Sequence, residues 1–137
     1  MSASDRARSF AVEAARCLFD DKCTDVVVLD VRGRSQVTDF FVIGSGTSDR
    51  QIASAAENVA ELGEASGHSL FRSNLREPKS NWVALDFVDV MVHVFMPETR
   101  LYYDLEMLWG DAPRIPWARR AASASKPRAR ARAASPR

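Results

Sequence analysis

The stretch from Phe40 to Leu62 constrains the fold of this chain more than any other. Phe40-Phe41-Val42-Ile43 is an uninterrupted run of aromatic and β-branched residues, which is typical of a strand buried on both faces. Gly44 to Thr47 then leads into a helix that Ser48 is expected to cap, with Gln51 reaching back. The apolar residues of this helix recur at three- and four-residue steps and form one stripe: Ile52, Ala55, Ala56, Val59 and Leu62. A buried strand that feeds into an amphipathic helix predicts an α/β protein.

The other apolar segments predict the rest of a sheet and its helices. The predicted elements are a helix over residues 4–20 capped by Ser4, strands at 26–29 and 40–43, the helix after Ser48, a weak strand at 70–72, strands at 82–87 and 90–96, and a helix over 97–110. The last helix should be lined by Leu101, Leu105 and Leu108 on one side. The strands at 82–87 and 90–96 are so close in sequence that they should pair as an antiparallel hairpin. The order predicts a mixed five-stranded sheet flanked by helices.

Charge is divided unevenly along the chain. The whole chain has a formal charge of +1, but residues 118–137 hold seven Lys and Arg residues and no acid. Residues 1–117 therefore carry about −6 by formal count, which suits a basic protein partner. The tail suits phosphates, including those of rRNA, and the alternative is that it is only a solubilising extension. Because the tail has no apolar residue larger than Ala, we predict one domain over 1–117 and a disordered basic tail over 118–137.

Several functional classes lack their sequence signals here. No apolar run approaches the ~20 residues that cross a bilayer, and no apolar core follows a basic N-terminus, so we expect a cytoplasmic protein. Cys17 and Cys23 form neither a disulfide framework nor a C-x-x-C motif. His68 and His93 are too separate to complete a metal site with them. We expect no metal and no cofactor.

The Gly44–Ser48 turn is the one feature that resembles part of an enzyme. Backbone amides at the start of a helix after a glycine-rich turn can hold a phosphate, and a Gly-Ser pair at this place is similar to nucleotidyltransferases. The alternative function is therefore a nucleotidyltransferase-like enzyme that binds a nucleotide phosphate at this turn. Those enzymes need two or three carboxylates on neighbouring strands to bind magnesium, and residues 67–76 contain no acid. A pairing of Ser45 with His93 also lacks the surrounding G-x-S-x-G motif, so we favour a structural turn and no catalytic residues.

Trp82 is the strongest candidate for a binding residue. Strand alternation places Trp82, Ala84 and Asp86 on one face of the hairpin and the apolar Val83, Leu85 and Phe87 on the other, which is the expected core face. A Trp that lies beside an acid on the more open face is typical of an interface anchor. The alternative is that a helix covers Trp82.

Seven blocks of sequence follow one another in a recognisable order. They are Val28-Leu29-Asp30-Val31-Arg32-Gly33, Thr38-Asp39-Phe40-Phe41-Val42-Ile43, Gly46-Thr47-Ser48-Asp49-Arg50-Gln51, Trp82-Val83-Ala84-Leu85-Asp86-Phe87, Val92-His93-Val94-Phe95, Leu101-Tyr102-Tyr103-Asp104-Leu105-Glu106 and Leu108-Trp109-Gly110-Asp111-Ala112-Pro113. With these blocks, roughly residues 8–116 resemble the RsfS/Iojap family of ribosomal silencing factors. The tail lies outside the resemblance.

The resemblance implies a non-enzymatic protein with a nucleotidyltransferase-like fold that lacks the catalytic carboxylates. It implies binding to the fourteenth protein of the large ribosomal subunit, where the bound factor would block joining of the small subunit and repress translation. It also implies that the free protein can form a homodimer. The contact residues that it carries over to this chain are Trp82, Asp86, Phe87, Asp89, His93, Glu98, Tyr103 and Asp104.

Two positions depart from the family pattern. Val88 stands in the hairpin turn where the family usually has Gly, so a turn that needs positive φ would strain this β-branched residue. Glu77-Pro78 replaces the usual Glu-Gly ahead of the Trp, which should stiffen that loop.

Overall fold

Five strands form one mixed sheet with helices against it, as the sequence predicts. The computed structural model describes residues 2–76 and 81–119. Its elements are α1 (Ala3–Asp20), β1 (Thr24–Asp30), β2 (Phe40–Ser45), α2 (Asp49–Ala65), β3 (Arg72–Ser73), β4 (Trp82–Asp86), β5 (Val90–Phe95), α3 (Pro97–Tyr103) and α4 (Leu105–Leu108). The strand order is β1-β2-β5-β4-β3. Only the central pair, β2 and β5, is parallel, and the predicted β4–β5 hairpin is antiparallel.

Helices α1 and α2 cover one face of the sheet and bury the main core. The predicted α2 stripe is buried except for the half-buried Leu62. In α1 the residues that recur at three- and four-residue steps are buried: Ala7, Phe10, Ala11, Ala14 and Leu18. The cap of α1 is Ser2 rather than the predicted Ser4, because Asp5 completes a reciprocal capping box with Ser2. Ser48 caps α2 as predicted, but Gln51 reaches one residue further back and accepts from the backbone and hydroxyl of Thr47.

The prediction of one helix from Pro97 to Gly110 is wrong, because this segment forms two helices, α3 and α4. Asp104 adopts a left-handed conformation, with φ 48° and ψ 56°, between α3 and α4. Its Oδ1 accepts the backbone N–H of Met107 at 3.2 Å, so the side chain supplies a local alternative to the helical hydrogen bond. The expected leucine stripe does not form, because Leu101 and Leu108 are 79 % and 70 % exposed.

The segment after α4 covers the edge of β1, which the sequence did not predict. The backbone N–H of Ile115 donates to the Val28 carbonyl at 2.9 Å, and the Asp30 N–H donates to the Pro113 carbonyl at 2.8 Å. Trp117 is buried and donates its indole N–H to the Val26 carbonyl at 2.9 Å. Arg119 forms a two-pronged ion pair with Asp20, although it belongs to the predicted tail. Residues 120–137 of that tail lie outside the described residues.

Candidate partner-binding surface

The β4–β5 hairpin turns its two faces toward different surroundings. Val83 and Leu85 are buried beneath α1 and α2. Trp82, Ala84 and Asp86 alternate with them along β4 and are half-buried on the opposite face, as the two-residue period of a strand predicts. Met91 of β5 pairs with Asp86 and is half-buried as well. We name this surface the hairpin patch, and it consists of Trp82, Ala84, Asp86 and Met91.

An aromatic cluster holds Trp82 in place within the hairpin patch. The indole Nε1–H of Trp82 donates to Nδ1 of His93 over 3.0 Å, and its ring centroid lies 4.9 Å from that of Phe95. His93 is 6 % exposed and also contacts the ring of Phe41. Burial lowers the pKa of His93 from 6.5 to about 4, so its ring is neutral at pH 7. Because Nδ1 accepts, the single ring proton resides on Nε2. Trp82 is thus a fixed, half-buried ring.

The Asp86 carboxylate holds the hairpin turn. Its Oδ1 accepts the backbone N–H of Val88 at 2.8 Å, and its Oδ2 lies 3.3 Å from Nε of Arg72 on the neighbouring strand. Val88 has a φ of 77°, so the turn does need the positive φ that strains a β-branched residue. Asp86 therefore contributes to the shape of the hairpin patch as well as to its charge.

The resemblance names three further acids, of which two flank the hairpin. Asp89 is exposed in the turn, and Glu98 is exposed in the first turn of α3. Because Trp82 pairs with Phe95, which α3 closely follows, Glu98 lies toward the Trp82 end of the hairpin and Asp89 at the other end. Asp104 is half-buried at the break between α3 and α4. The side chain of Tyr103 lies outside the described residues.

Phe87 lies on the other side of the sheet from the hairpin patch. It is 5 % exposed and packs edge-on against Phe10 of α1, with ring centroids 4.9 Å apart. Strand alternation predicted this core position, whereas the resemblance named Phe87 as a contact residue. In this structure Phe87 packs the turn of the hairpin against α1.

Two groups near the hairpin had no signal in the sequence. Asn74 follows the short β3 and replaces a strand partner, because its side chain accepts from the N–H of Ala84 at 2.9 Å and donates to the carbonyl of Trp82 at 2.8 Å. Arg100 of α3 donates to Ser45 Oγ and Glu106 Oε1, both at 2.9 Å, and its side chain is 11 % exposed. Both groups depend on the tertiary arrangement of separate elements, which neither composition nor periodicity reveals.

The Gly44–Ser48 turn uses its amides within the protein. The N–H of Gly46 donates to the Phe95 carbonyl at 2.8 Å, and the N–H of Thr47 donates to the Gln51 side chain. A Cβ added to Gly46 would lie 2.7 Å from Cγ1 of Ile52, so glycine is needed there for close packing of α2. These contacts favour a structural turn over a phosphate cradle.

The cysteines are poorly suited to nucleophilic chemistry. Burial, with the nearby Asp21, Asp20 and Glu61, raises the pKa of Cys17 to about 11. Burial, with Asp21 and Cys17, raises the pKa of Cys23 to about 12. Both thiols are therefore protonated at pH 7.

Within residues 2–76 and 81–119, no three His, Cys, Asp or Glu residues are grouped so that they could hold a metal ion. No helix in the same ranges is long and apolar enough to span a membrane.

The sheet order and the hairpin define a class of small α/β proteins built on one mixed five-stranded sheet. A crystal structure of a protein from Chromobacterium violaceum shares this fold with a TM-score of 0.69 and 32 % identity, over 89 % of this chain and 97 % of that one. A crystal structure from Bacillus halodurans matches with a TM-score of 0.63 and 35 % identity, over 79 % of this chain and 94 % of that one.

Sequence comparison narrows this class to one family. The family model described as "Ribosomal silencing factor during starvation" matches residues 4–137. Ribosomal silencing factor RsfS of Bacillus subtilis is 40 % identical over 103 residues, which are 74 % of this chain and 85 % of that protein. The chloroplastic protein Iojap of Zea mays is 39 % identical over 107 residues, covering 78 % of this chain and 46 % of that longer protein. The chain belongs to the RsfS/Iojap family of ribosomal silencing factors, which confirms the resemblance. The expectation that the tail lies outside it is wrong, because the family model extends to residue 137.

Proposed function

We propose that this chain binds the large ribosomal subunit and represses translation by blocking the joining of the small subunit. The family to which it belongs carries the name of ribosomal silencing, which supports a ribosomal partner. The mechanism is steric: the bound factor occupies space that the small subunit needs. It requires a docking surface, and it requires neither a cofactor nor a catalytic residue.

The observation that carries this proposal is the fixed Trp82 ring, which lies at the end of the hairpin patch away from the turn. Interfaces concentrate their binding energy in a few rigid aromatic residues, Trp above all. The ring of Trp82 is already oriented by His93 and Phe95, so it loses little conformational freedom on binding. A partner that covers the whole hairpin patch buries this ring and also Met91, which lies beside Asp86 at the other end of the patch.

Charge points to the chemistry of the partner. The exposed Asp89 and Glu98 border the hairpin at its two ends, and the half-buried Asp104 adds a third acid. A basic protein surface complements this arrangement, and the partner that we propose is the fourteenth protein of the large subunit. The proposed contact residues are Trp82, Asp86, Asp89, Glu98, Tyr103 and Asp104, with Phe87 and His93 supporting them from within the protein.

Two further parts of the proposal concern the remainder of the chain. The basic segment over 120–137 contacts rRNA phosphates without sequence preference, because Lys and Arg neutralise phosphate charge. The protein acts in the cytoplasm, where it meets ribosomes, and it can form a homodimer when free. In that state the dimer would have to leave the hairpin patch available or dissociate.

Titration of purified large subunits with wild-type protein and Trp82→Ala tests the docking surface. We expect Trp82→Ala to weaken binding by about 30-fold or more, equivalent to at least ~2 kcal/mol for an interface anchor. Asp89→Lys and Glu98→Lys should weaken binding, while Glu57→Lys and Glu64→Lys, exposed on α2 beyond the other face of the sheet, should not. Equal binding by all five variants and the wild type would rule out this surface.

A further inference from the structure

We propose that His93 is a positioning residue for Trp82, which fixes the indole for docking and does not itself contact the partner. This inference rests on the proposed function, because it assigns a role within the same surface. It differs from the expectation that His93 is a contact residue. We assign His93 a positioning role rather than a contact role because its imidazole is buried within the sheet.

His93 lies too deep to meet a partner directly. It is 6 % exposed in the central strand β5, and its cross-strand neighbours are Ala84 on one side and Ile43 on the other. The rings of Phe41, Trp82 and Phe95 surround it, with centroids 5.4, 5.8 and 6.0 Å from its own. A partner seated on the hairpin patch would reach the Trp82 indole before it reached this imidazole.

The contact between the two side chains is directional. The indole N–H of Trp82 is a donor only, and Nδ1 of His93 accepts it over 3.0 Å. Ring packing against Phe95 is compatible with more than one orientation of the indole. The hydrogen bond is compatible only with the orientation in which the Nε1 edge of the indole faces His93. Because the imidazole is neutral at pH 7, Nδ1 keeps its lone pair for this bond.

The energetic consequence is preorganisation. A side chain that is already held in its bound orientation loses less rotational freedom when the partner arrives. The donor is also satisfied before and after docking, so no polar group is left unpaired in the interface. Loss of the acceptor should therefore weaken docking by roughly 3- to 10-fold, which is the effect of one neutral hydrogen bond.

The first test detects the hydrogen bond in the free protein by NMR. An N–H···N bond transmits a scalar coupling between its two nitrogens, so ¹⁵N-labelled protein should show a coupling between Trp82 Nε1 and His93 Nδ1. Trp82→Phe assigns the Trp82 resonance, and the indoles of Trp109 and Trp117 serve as internal controls. If Trp82 shows no such coupling, the proposal is wrong, whatever the binding data show.

The second test is a double-mutant cycle in large-subunit binding. His93→Phe keeps an aromatic ring but removes the acceptor, and Trp82→Phe keeps a ring but removes the donor. We expect His93→Phe to weaken binding by roughly 3- to 10-fold in the wild-type background and to have almost no effect in the Trp82→Phe background. A cost of equal size in both backgrounds would show that His93 acts through general packing or direct contact.

The two proposals fail in different ways. If Trp82→Ala binds large subunits as well as the wild type, the docking surface itself is wrong, and the NMR coupling would then describe only a structural bond. If Trp82→Ala loses binding while His93→Phe binds normally, the surface stands and the positioning role is overturned. If His93→Phe does not fold, the coupling in the wild-type protein decides whether the bond exists, and its absence overturns the proposal.

Discussion

Val88 occupies a backbone conformation that its side chain disfavours. Its φ is 77°, its side chain is 53 % exposed, and its N–H is held by Asp86 Oδ1. For a non-glycine residue the left-handed region costs about 1–2 kcal/mol, and a β-branched side chain is among the worst placed there. The exposed side chain offers little packing in return. The hairpin therefore forms in spite of this residue, because the β4–β5 ladder and the Asp86 carboxylate impose the turn.

Replacing Val88 with Gly should stabilise the protein. Relief of about 1–2 kcal/mol of strain exceeds the roughly 0.5–1 kcal/mol by which Gly favours the unfolded chain, so we expect a net gain near 1 kcal/mol. Urea denaturation of Val88→Gly and the wild type measures it. Val88→Ala, which removes the branching but keeps a Cβ, is the matched control and should gain less. If Val88→Gly were less stable than the wild type, the positive φ of Val88 would not be a source of strain.

His93 makes folding stability depend on pH in a defined window. The folded pKa, about 4, lies below the ordinary value of 6.5, so the unfolded chain binds more protons between these pH values. This contribution to stability is complete above pH 6.5 and is lost as the pH falls toward 4. Its size is on the order of 3 kcal/mol.

Urea denaturation at pH 7.5 and pH 4.5 should separate this contribution from that of the carboxylates. We expect the wild type to lose more stability on acidification than His93→Phe, since the carboxylates titrate in both proteins and only one has the imidazole. The loss of stability in the wild type should exceed the loss in His93→Phe by up to about 3 kcal/mol. Identical losses in the two proteins would show that His93 is not buried as a neutral group.

At the scale of elements, the sequence predicts what local pattern controls. The alternation of Trp82 to Phe87 assigned the two hairpin faces correctly, because a strand period of two leaves no freedom once the core face is known. The α2 stripe and its Ser48 cap follow from the same kind of local rule. Trp82 could therefore be nominated before the fold was known.

Local pattern fails where a side chain or a distant segment competes with the backbone. The leucine spacing of residues 101–108 predicts one helix, but the Asp104 carboxylate takes the Met107 N–H and the chain turns left-handed. The contact of residues 113–117 with β1 joins positions more than eighty residues apart, and Pro113 and Pro116 conceal any strand pattern. The bond between Trp82 and His93 depends on the register between β4 and β5, which no local pattern reveals.

The segment around Trp117 should be an essential part of the fold. Trp117→Ala removes a buried ring that packs on Phe19 and a hydrogen bond to Val26, so we expect a loss of about 3–5 kcal/mol. Trp117→Phe should lose about 1 kcal/mol, mainly the hydrogen bond. Denaturant titration measures both.

Arg119→Ala is the control for this segment, because it removes only an exposed ion pair with Asp20 and should cost less than about 1 kcal/mol. A Trp117→Ala protein as stable as Arg119→Ala would mean that the segment does not hold the edge of β1.

At the scale of the whole molecule, an acidic domain and a basic extension should make separable contributions to ribosome binding. Residues 120–137 carry six Lys and Arg residues and no acid. Deleting them should mostly spare large-subunit binding at physiological salt but flatten its dependence on salt concentration, because fewer counterions are released from rRNA. Binding measured from 50 to 300 mM KCl tests this. Complete loss of binding on deletion would instead make the extension the principal docking element.

We propose that the hairpin patch docks this protein on the large subunit so that the small subunit cannot join. Sucrose-gradient sedimentation of purified large and small subunits, with wild-type protein or Trp82→Ala, tests it most directly, with Glu57→Lys as the surface control. We expect the wild type and Glu57→Lys to sediment with large subunits and to reduce joined ribosomes, whereas Trp82→Ala should do so far less. Joined ribosomes at an undiminished level in the presence of wild-type protein would contradict it.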